Sequence, residues 1–281
     1  MMMNIQKIAF VGAGSIAEAV IAGLLHSKVV TEEQMMVSNR SNTNRLTELH
    51  NLYGVTGTHN KEELITDADI VILAMKPKDI VEAITPLEPY INNNQLIISL
   101  LAGVSTSSIA KLLNKNVPII RAMPNTSASI LKSATAISPS SHATEEHIQI
   151  ATSLFQTVGV VSIVEEEQMH AVTALSGSGP AYVYYVVEAM EEAAKQLGLE
   201  EDVAKSLILQ TVIGAAEMLK ANTKHPSVLR KEITSPGGTT EAGIEVLQSF
   251  EFQNALISCI TKATKRSHEL GETLERFVNK P

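Results

Sequence analysis

Three runs of small residues carry the patterns in this chain most able to do chemistry. Gly12-Ala13-Gly14-Ser15-Ile16-Ala17 follows the apolar, β-rich segment Ile5 to Val11 and leads into the helical pattern Glu18 to Leu25. A strand that turns into a helix at Gly-x-Gly-x-x-Ala offers free amides and the positive end of the helix dipole, which suit a dinucleotide pyrophosphate. Gly12 permits the tight turn, Gly14 lets the pyrophosphate approach the backbone, and Ala17 is small where helix and strand pack closely. The second run, Leu175-Ser176-Gly177-Ser178-Gly179-Pro180-Ala181-Tyr182, interrupts an otherwise good helix, and close helix packing explains it nearly as well as function. The third, Ser235-Pro236-Gly237-Gly238-Thr239-Thr240-Glu241-Ala242-Gly243, ends at a helix start. Its amides and hydroxyls form an uncharged cradle suited to a carboxylate, with helix capping by Ser and Thr as the competing account.

Cofactor choice in such a fold is set at the end of the second strand, where NAD-selective sites place an acid on the ribose hydroxyls. This chain reads Val37-Ser38-Asn39-Arg40-Ser41 there: no acid, one guanidinium, and groups able to bond a 2′-phosphate. NADPH is therefore expected over NADH. Two further loops leave strand carboxyl ends, Ala74-Met75-Lys76-Pro77 and Leu101-Ala102-Gly103, where open α/β sheets bind ligands. Pro77 is also a natural helix-start residue. His170 reads as a surface or interface histidine, Glu165-Glu166-Glu167 as acids favouring a helix start, and Cys259 as inert packing. No His, Cys and Asp grouping has metal spacing.

The elements that position these residues follow from periodicity. Short apolar strands are expected at Ile5 to Val11, Met35 to Ser38, Ile70 to Ala74, Leu96 to Leu100 and Pro118 to Met123, with a further pair at Thr135 to Ser138 and Val160 to Val164. Helices alternate with them at Thr43 to Leu52, Asp79 to Pro86, Val104 to Leu113 and Thr144 to Thr157. That alternation predicts an α/β Rossmann domain with a mostly parallel sheet over residues 1–164. Residues 165–281 are expected to form an all-α domain of five helices: Glu166 to Leu175, Ala181 to Leu197, Asp202 to Lys220, Thr239 to Ser249 and Glu251 to Phe277. Leu207 to Leu219 is apolar on nearly every face, so it must pack in a bundle or against a second subunit.

Composition narrows the partners. The 281 residues are 44% hydrophobic and 4% aromatic without Trp, which favours a core of aliphatic side chains and disfavours an all-β sandwich. A formal charge of -8 leaves no cationic surplus for nucleic acid. The start, Met1 to Lys7, resembles neither a signal peptide nor a membrane span, so a cytoplasmic protein is expected.

Gly12 to Ala17, Ala74 to Pro77, Arg121-Ala122-Met123-Pro124-Asn125-Thr126, Leu175 to Tyr182 and above all Ser235 to Gly243 resemble the motifs of the pyrroline-5-carboxylate reductase family, in order from about Lys7 to Glu275. The resemblance implies NADPH-dependent reduction of the cyclic imine L-1-pyrroline-5-carboxylate to L-proline, the last step of proline biosynthesis. It also implies a helical dimerisation domain, interleaved homodimers that assemble into decamers, and a substrate lying between the two domains. Carried over by position, Ser235 and the amides of Gly238, Thr239 and Thr240 hold the carboxylate, and the Thr240 hydroxyl faces the ring nitrogen as the catalytic group. Gly12, Ala13, Gly14, Ser15, Ile16 and Ala17 bind pyrophosphate; Ser38, Asn39 and Arg40 take the adenosine phosphate; Asn60 meets the ribose region. Ala74, Met75, Lys76 and Pro77 with Ala102 and Gly103 meet the nicotinamide half. Ser127, His170 and Glu232 depart from the family pattern.

A protonated imine is already electrophilic, so positioning does most of the work and the decisive acid of a ketone reductase is not required. Two other readings compete. A β-hydroxyacid-type dehydrogenase needs a helix Lys with Asn four residues on, and Lys195 is followed by Gln196-Leu197-Gly198-Leu199. A non-catalytic NADP-binding sensor on the same fold would tolerate loss of Thr240 or of the Gly-Gly turn, and both are present.

Overall fold

The computed structural model describes residues 5–278. Its first unit is organised by one eight-stranded sheet whose strands are β1 (Ile8–Val11), β2 (Met35–Ser38), β3 (Thr56–Gly57), β4 (Ile70–Leu73), β5 (Leu96–Ser99), β6 (Ile119–Met123), β7 (Ser133–Pro139) and β8 (Gly159–Ile163). Their order is β3-β2-β1-β4-β5-β6-β7-β8. All neighbours are parallel except β6 and β7. The direction of winding reverses between β1 and β4, and a reversal opens a crevice at the strand carboxyl ends.

Strand side chains alternate between two apolar layers, as a pleat requires. Ile8, Phe10, Ile70, Ile72, Leu96 and Ile98 face one layer with helices α1 (Ser15–His26) and α2 (Thr43–Tyr53). Ala9, Val11, Val71, Leu73 and Ile97 face the other, with α3 (Lys61–Ile65), α4 (Ile80–Ile84) and α5 (Thr106–Leu113). Helix α6 (Glu145–Gln156) adds Ala151, Leu154 and Phe155 to the first layer. Both faces are covered, which is why these strands read as unbroken apolar runs.

The remaining helices are α7 (Met169–Val172), α8 (Gly179–Gln196), α9 (Glu201–Ala221), α10 (Pro226–Glu232), α11 (Thr239–Ser249) and α12 (Phe252–Val278). Described residues up to Pro180 and from Thr261 onward form one compact unit, and Ala181–Ile260 forms a second. The units part later than the change of periodicity at Glu165, because Met169 and Ala174 are buried in the first unit.

Several elements differ from their expected form for identifiable reasons. Asp79 to Pro86 is not one helix: α4 is flanked by 3-10 turns at Pro77–Asp79 and Thr85–Tyr90, where Pro86 and Pro89 cannot donate to the α ladder. Glu166 to Leu175 divides into a 3-10 turn, α7 and a π turn over Thr173–Gly177. The short β3, α3 and α10 are additional to the expected elements. Cys259 is exposed in the chain, not packed away.

The acid cluster at Glu165 does more than start a helix. Glu166 accepts from the Thr106 amide at 2.8 Å and the Thr106 hydroxyl at 2.7 Å, and it pairs with Arg121 at 3.0 Å. Arg121 is buried on β6, and its Nε has no hydrogen-bond partner among the described atoms. Removing the acid would strand a buried guanidinium. Glu166→Ala should lower the free energy of urea unfolding by about 3 kcal/mol at fixed protein concentration. A loss below about 1 kcal/mol would show that the pair is not structural.

Candidate functional site

In the first unit, the reversal between β1 and β4 opens a crevice of about 480 Å³. Val11, Gly12, Ala13 and Gly14 form one wall, Ser38, Asn39 and Arg40 another, and Ala74, Met75 and Lys76 a third. Gly12 has φ +123, and a Cβ there would lie 2.5 Å from the carbonyl carbon and oxygen of Ala74. Only glycine allows β1 to turn this close to the end of β4. A Cβ on Gly14, by contrast, meets nothing within 4 Å. Gly14 is the N-cap of α1 with no side-chain cap, so the first amides of that helix lack the partner a Ser or Asp would supply. Open backbone, uncapped amides and a helix dipole make an anion cradle. Ser15 and Ile16 lie in the first turn of α1, and buried Ala17 packs in the apolar layer beneath it.

The second wall is cationic. Ser38 is buried, and its hydroxyl accepts from Lys61 Nζ at 3.1 Å. Lys61 has no carboxylate pairing with it among the described residues, and burial lowers its pKa from the ordinary lysine value. An arriving phosphate would reverse that penalty. Arg40 lines the same crevice but is already paired, 2.9 Å from Glu82 and 4.0 Å from Asp79. The Asn39 amide is committed internally: it donates to the Asn42 carbonyl at 2.7 Å and accepts from the Asn42 amide at 2.9 Å. Lys76 and Lys78 line the crevice too, and like Lys61 they have no ion pair among the described residues; Lys61 differs in being desolvated and bonded to Ser38, and it carries no sequence signature. It follows a two-residue strand and opens a five-residue helix. The only local hint is the preceding Asn60, whose side chain caps α3 by accepting from the Glu62 and Glu63 amides.

Other expected residues fall outside the crevice lining. Asn60 spends its oxygen on that cap, and Pro77 starts a 3-10 turn. Ala102 and Gly103 belong to a separate turn, where Gly103 has φ +77 and its carbonyl oxygen lies 2.6 Å from an ideal Cβ at Gly271 of α12. His170 stacks on His268 with ring centroids 3.8 Å apart, and its Nδ1 lies 2.9 Å from Ser267 Oγ. Burial first, then the nearby His268 and Arg121, hold its pKa below the ordinary imidazole value. It is a neutral packing group at neutral pH.

In the second unit, the Ser235–Thr240 loop turns at Gly237, which has φ +70. Gly237 donates its amide to Glu241 Oε2 at 2.7 Å, and Gly238 donates to the Ser235 carbonyl at 3.0 Å. The expected Gly238 donor is thus used within the turn. Gly238 is the N-cap of α11, again without a side-chain cap, which leaves the amides of Thr239 and Thr240 at an open helix start. Ser235 is exposed and Thr240 half-buried.

The departures from the family pattern have local explanations. Ser127 donates its amide to Asn125 Oδ1 at 3.1 Å, a bond that proline could not make. The same Asn125 donates through Nδ2 to the Ser176 carbonyl at 3.0 Å, tying the loop to the π turn. Gly177 in that turn lies against Met123, whose methyl would be 2.8 Å from an added Cβ, so packing accounts for this glycine. Glu232 pairs with Lys224 at 2.6 Å on the surface.

Residues 166–270 match the family described as pyrroline-5-carboxylate reductase dimerisation, and residues 7–103 match one described as NADP oxidoreductase, coenzyme F420-dependent. The chain is 51% identical over 267 residues to pyrroline-5-carboxylate reductase 2 of Bacillus subtilis, spanning 95% of this chain and 96% of that one. A solved pyrroline-5-carboxylate reductase from Coxiella burnetii superposes with TM-score 0.87 at 38% identity, covering 95% of this chain and 99% of that chain. Pyrroline carboxylate reductase of Plasmodium falciparum, solved with NADP bound, gives TM-score 0.87 at 26% identity over 96% of this chain and 100% of that chain.

The two glycines of the first turn should separate under mutation. Gly12→Ala should lower both thermal stability and dinucleotide affinity, whereas Gly14→Ala should keep the melting temperature and weaken only the nucleotide, by about tenfold. Parallel melting and titration curves check this. A comparable melting loss in Gly14→Ala would refute the open cradle.

Proposed function

The chain belongs to the pyrroline-5-carboxylate reductase family, and from that premise we propose how its residues divide the work of reducing L-1-pyrroline-5-carboxylate to L-proline with NADPH. The observation that carries the activity is kinship at 51% identity along nearly the whole chain. NADPH, when bound, supplies the hydride that adds to the imine carbon, and NADH serves less well. The residues of the crevice fit such a dinucleotide: an open glycine backbone, an uncapped helix start and a desolvated lysine that has no ion pair among the described residues and bonds a buried hydroxyl.

In this proposal Gly12 to Ala17 hold the pyrophosphate, and Ser38, Arg40 and Lys61 hold the 2′-phosphate. Arg40 must leave Glu82 to do so, which makes its contribution a difference between two ion pairs. Lys61 gives up only a bond to a serine and relieves its own desolvation. Asn39 shapes the loop, and Ala74 to Pro77 with Ala102 and Gly103 border the nicotinamide end.

Thr239 and Thr240 offer backbone amides to the substrate carboxylate, with Ser235 adding its hydroxyl. The Thr240 hydroxyl faces the ring nitrogen and keeps its proton in place while the carbon is reduced. No strong acid is needed, since the protonated imine enters already charged, and fixed orientation supplies the rate. Neutral His170 fits that economy.

The chain self-associates through its helical segment. Interleaved dimers, assembled further into decamers, belong to the proposal, as does a cytoplasmic place of work. Among the described residues no helix is long and apolar enough to cross a membrane.

Steady-state assay of the imine with each reduced nicotinamide should show turnover with both and preference for NADPH. Lys61→Met should weaken NADPH by about tenfold and NADH by less than twofold, and Arg40→Ala should act in the same direction more weakly. Equal losses for both cofactors would remove Lys61 from the phosphate site. Thr240→Ala should bind NADPH as wild type does while kcat/KM for the imine falls by about 10²-fold. Unchanged imine kinetics would displace Thr240 from the ring nitrogen.

A further inference from the structure

Arg45 lies on α2, 32 residues along the chain from Ala13, yet its Nε donates to the Ala13 carbonyl at 2.9 Å. The rest of its fork is also used. One terminal nitrogen bonds Glu18 in the first turn of α1, and the other lies 2.9 Å from Glu48. Tyr53, at the end of α2, donates its hydroxyl to the second oxygen of Glu18 at 3.0 Å. Arg45 and Glu18 are both largely enclosed, with side chains 19% and 27% exposed. Arg45, Glu18 and Tyr53 lie outside both the Gly12 to Ala17 run and the lining of the crevice.

Two physical consequences follow. In a trans peptide the carbonyl and the next amide point in opposite directions. A guanidinium holding the Ala13 carbonyl therefore turns the Gly14 amide to the side away from α2. Gly14 has no side chain and nothing within 4 Å of its Cβ position, so no packing of residue 14 fixes that peptide. Glu18, meanwhile, is a carboxylate one turn from the amides that receive a pyrophosphate. Unpaired, it would repel that ligand and offset the positive potential that the helix start offers it. Paired with Arg45 it is neutralised and held ionised.

We infer that Arg45 is a positioning residue for the dinucleotide: it orients the Ala13–Gly14 peptide toward the pyrophosphate and cancels the Glu18 charge at the mouth of α1, without touching the cofactor. This inference rests on the reading that the crevice binds NADPH.

The test uses the full-length protein and two probes, NADPH and adenosine 2′-phosphate, which lacks the pyrophosphate. Arg45→Met should raise the NADPH dissociation constant about 20-fold, as loss of a charge-assisted hydrogen bond predicts, with kcat at saturating NADPH within about twofold. Adenosine 2′-phosphate should bind as it does to wild type. Adding Glu18→Gln to Arg45→Met should recover about fivefold of the lost NADPH affinity, since the uncompensated charge is gone. Three results would overturn the inference: NADPH affinity within twofold of wild type in Arg45→Met, parallel loss of both probes, or a double variant no better than the single one. Wild-type protein that fails to bind NADPH would instead overturn the cofactor reading beneath it.

Discussion

Every helix begins with amides that its own backbone cannot satisfy, and this chain caps only some of them with side chains. Asn42, Asn60, Ser105, Thr144 and His225 cap α2, α3, α5, α6 and α10 with side-chain acceptors. Helices α1 and α11 begin instead at Gly14 and Gly238, with no side-chain cap. A glycine N-cap gives up little stability compared with Ser or Asp, so the fold tolerates the omission. Helices α4, α7 and α9 also start without a side-chain cap, behind Asp79, Gln168 and Glu200, so what sets α1 and α11 apart is a bare glycine that leaves room for an anion at the open amides. In the proposed assignment the substrate is a carboxylate and the cofactor a polyphosphate, so both binding tasks reduce to the same electrostatics.

The cations at and behind the crevice of the first unit are held in different ways. Arg40 is held by Glu82, and Arg45 by Glu18 and Glu48. Lys61 differs because burial, not a carboxylate, sets its state. A cation already satisfied by a protein acid gains little from a phosphate, while a desolvated one gains the full pairing. Counting basic residues near the second strand therefore misjudges selectivity, since the residue with most to gain is not the most conspicuous one.

That distinction also marks how far the sequence could be read. The Rossmann alternation, the Gly12 turn and the helical second half were legible because each rests on local periodicity or on a glycine with a positive φ. Three things were not. Short elements such as β3 and α3 lack enough residues for a period, and they deliver Lys61. Long-range pairs such as Arg45 with Ala13 or Arg121 with Glu166 depend on tertiary approach between distant segments. The Gly238 amide looked available until the turn geometry spent it on the Ser235 carbonyl. Spacing shows which residues share a loop; it does not show which hydrogen bonds the loop consumes.

The second unit poses a different constraint. Its buried apolar cluster consists of Ala194, Ala204 and Ile208, with Val187 and Met190 packed against it. Meanwhile Tyr185 is 76% exposed and Phe250 79%, and Leu207, Ile213 and Met218 on or beside the apolar stretch of α9 all face outward. Burial of three small or medium side chains is far too little to offset the entropy of ordering 80 residues from Ala181 to Ile260. Large apolar side chains left in water by one chain are the surface that a second copy can bury. Self-association that covers these side chains would stabilise the segment in a way that depends on protein concentration. The loop proposed to hold the substrate carboxylate sits in that same unit, so whatever buries these side chains also steadies Ser235 to Thr240.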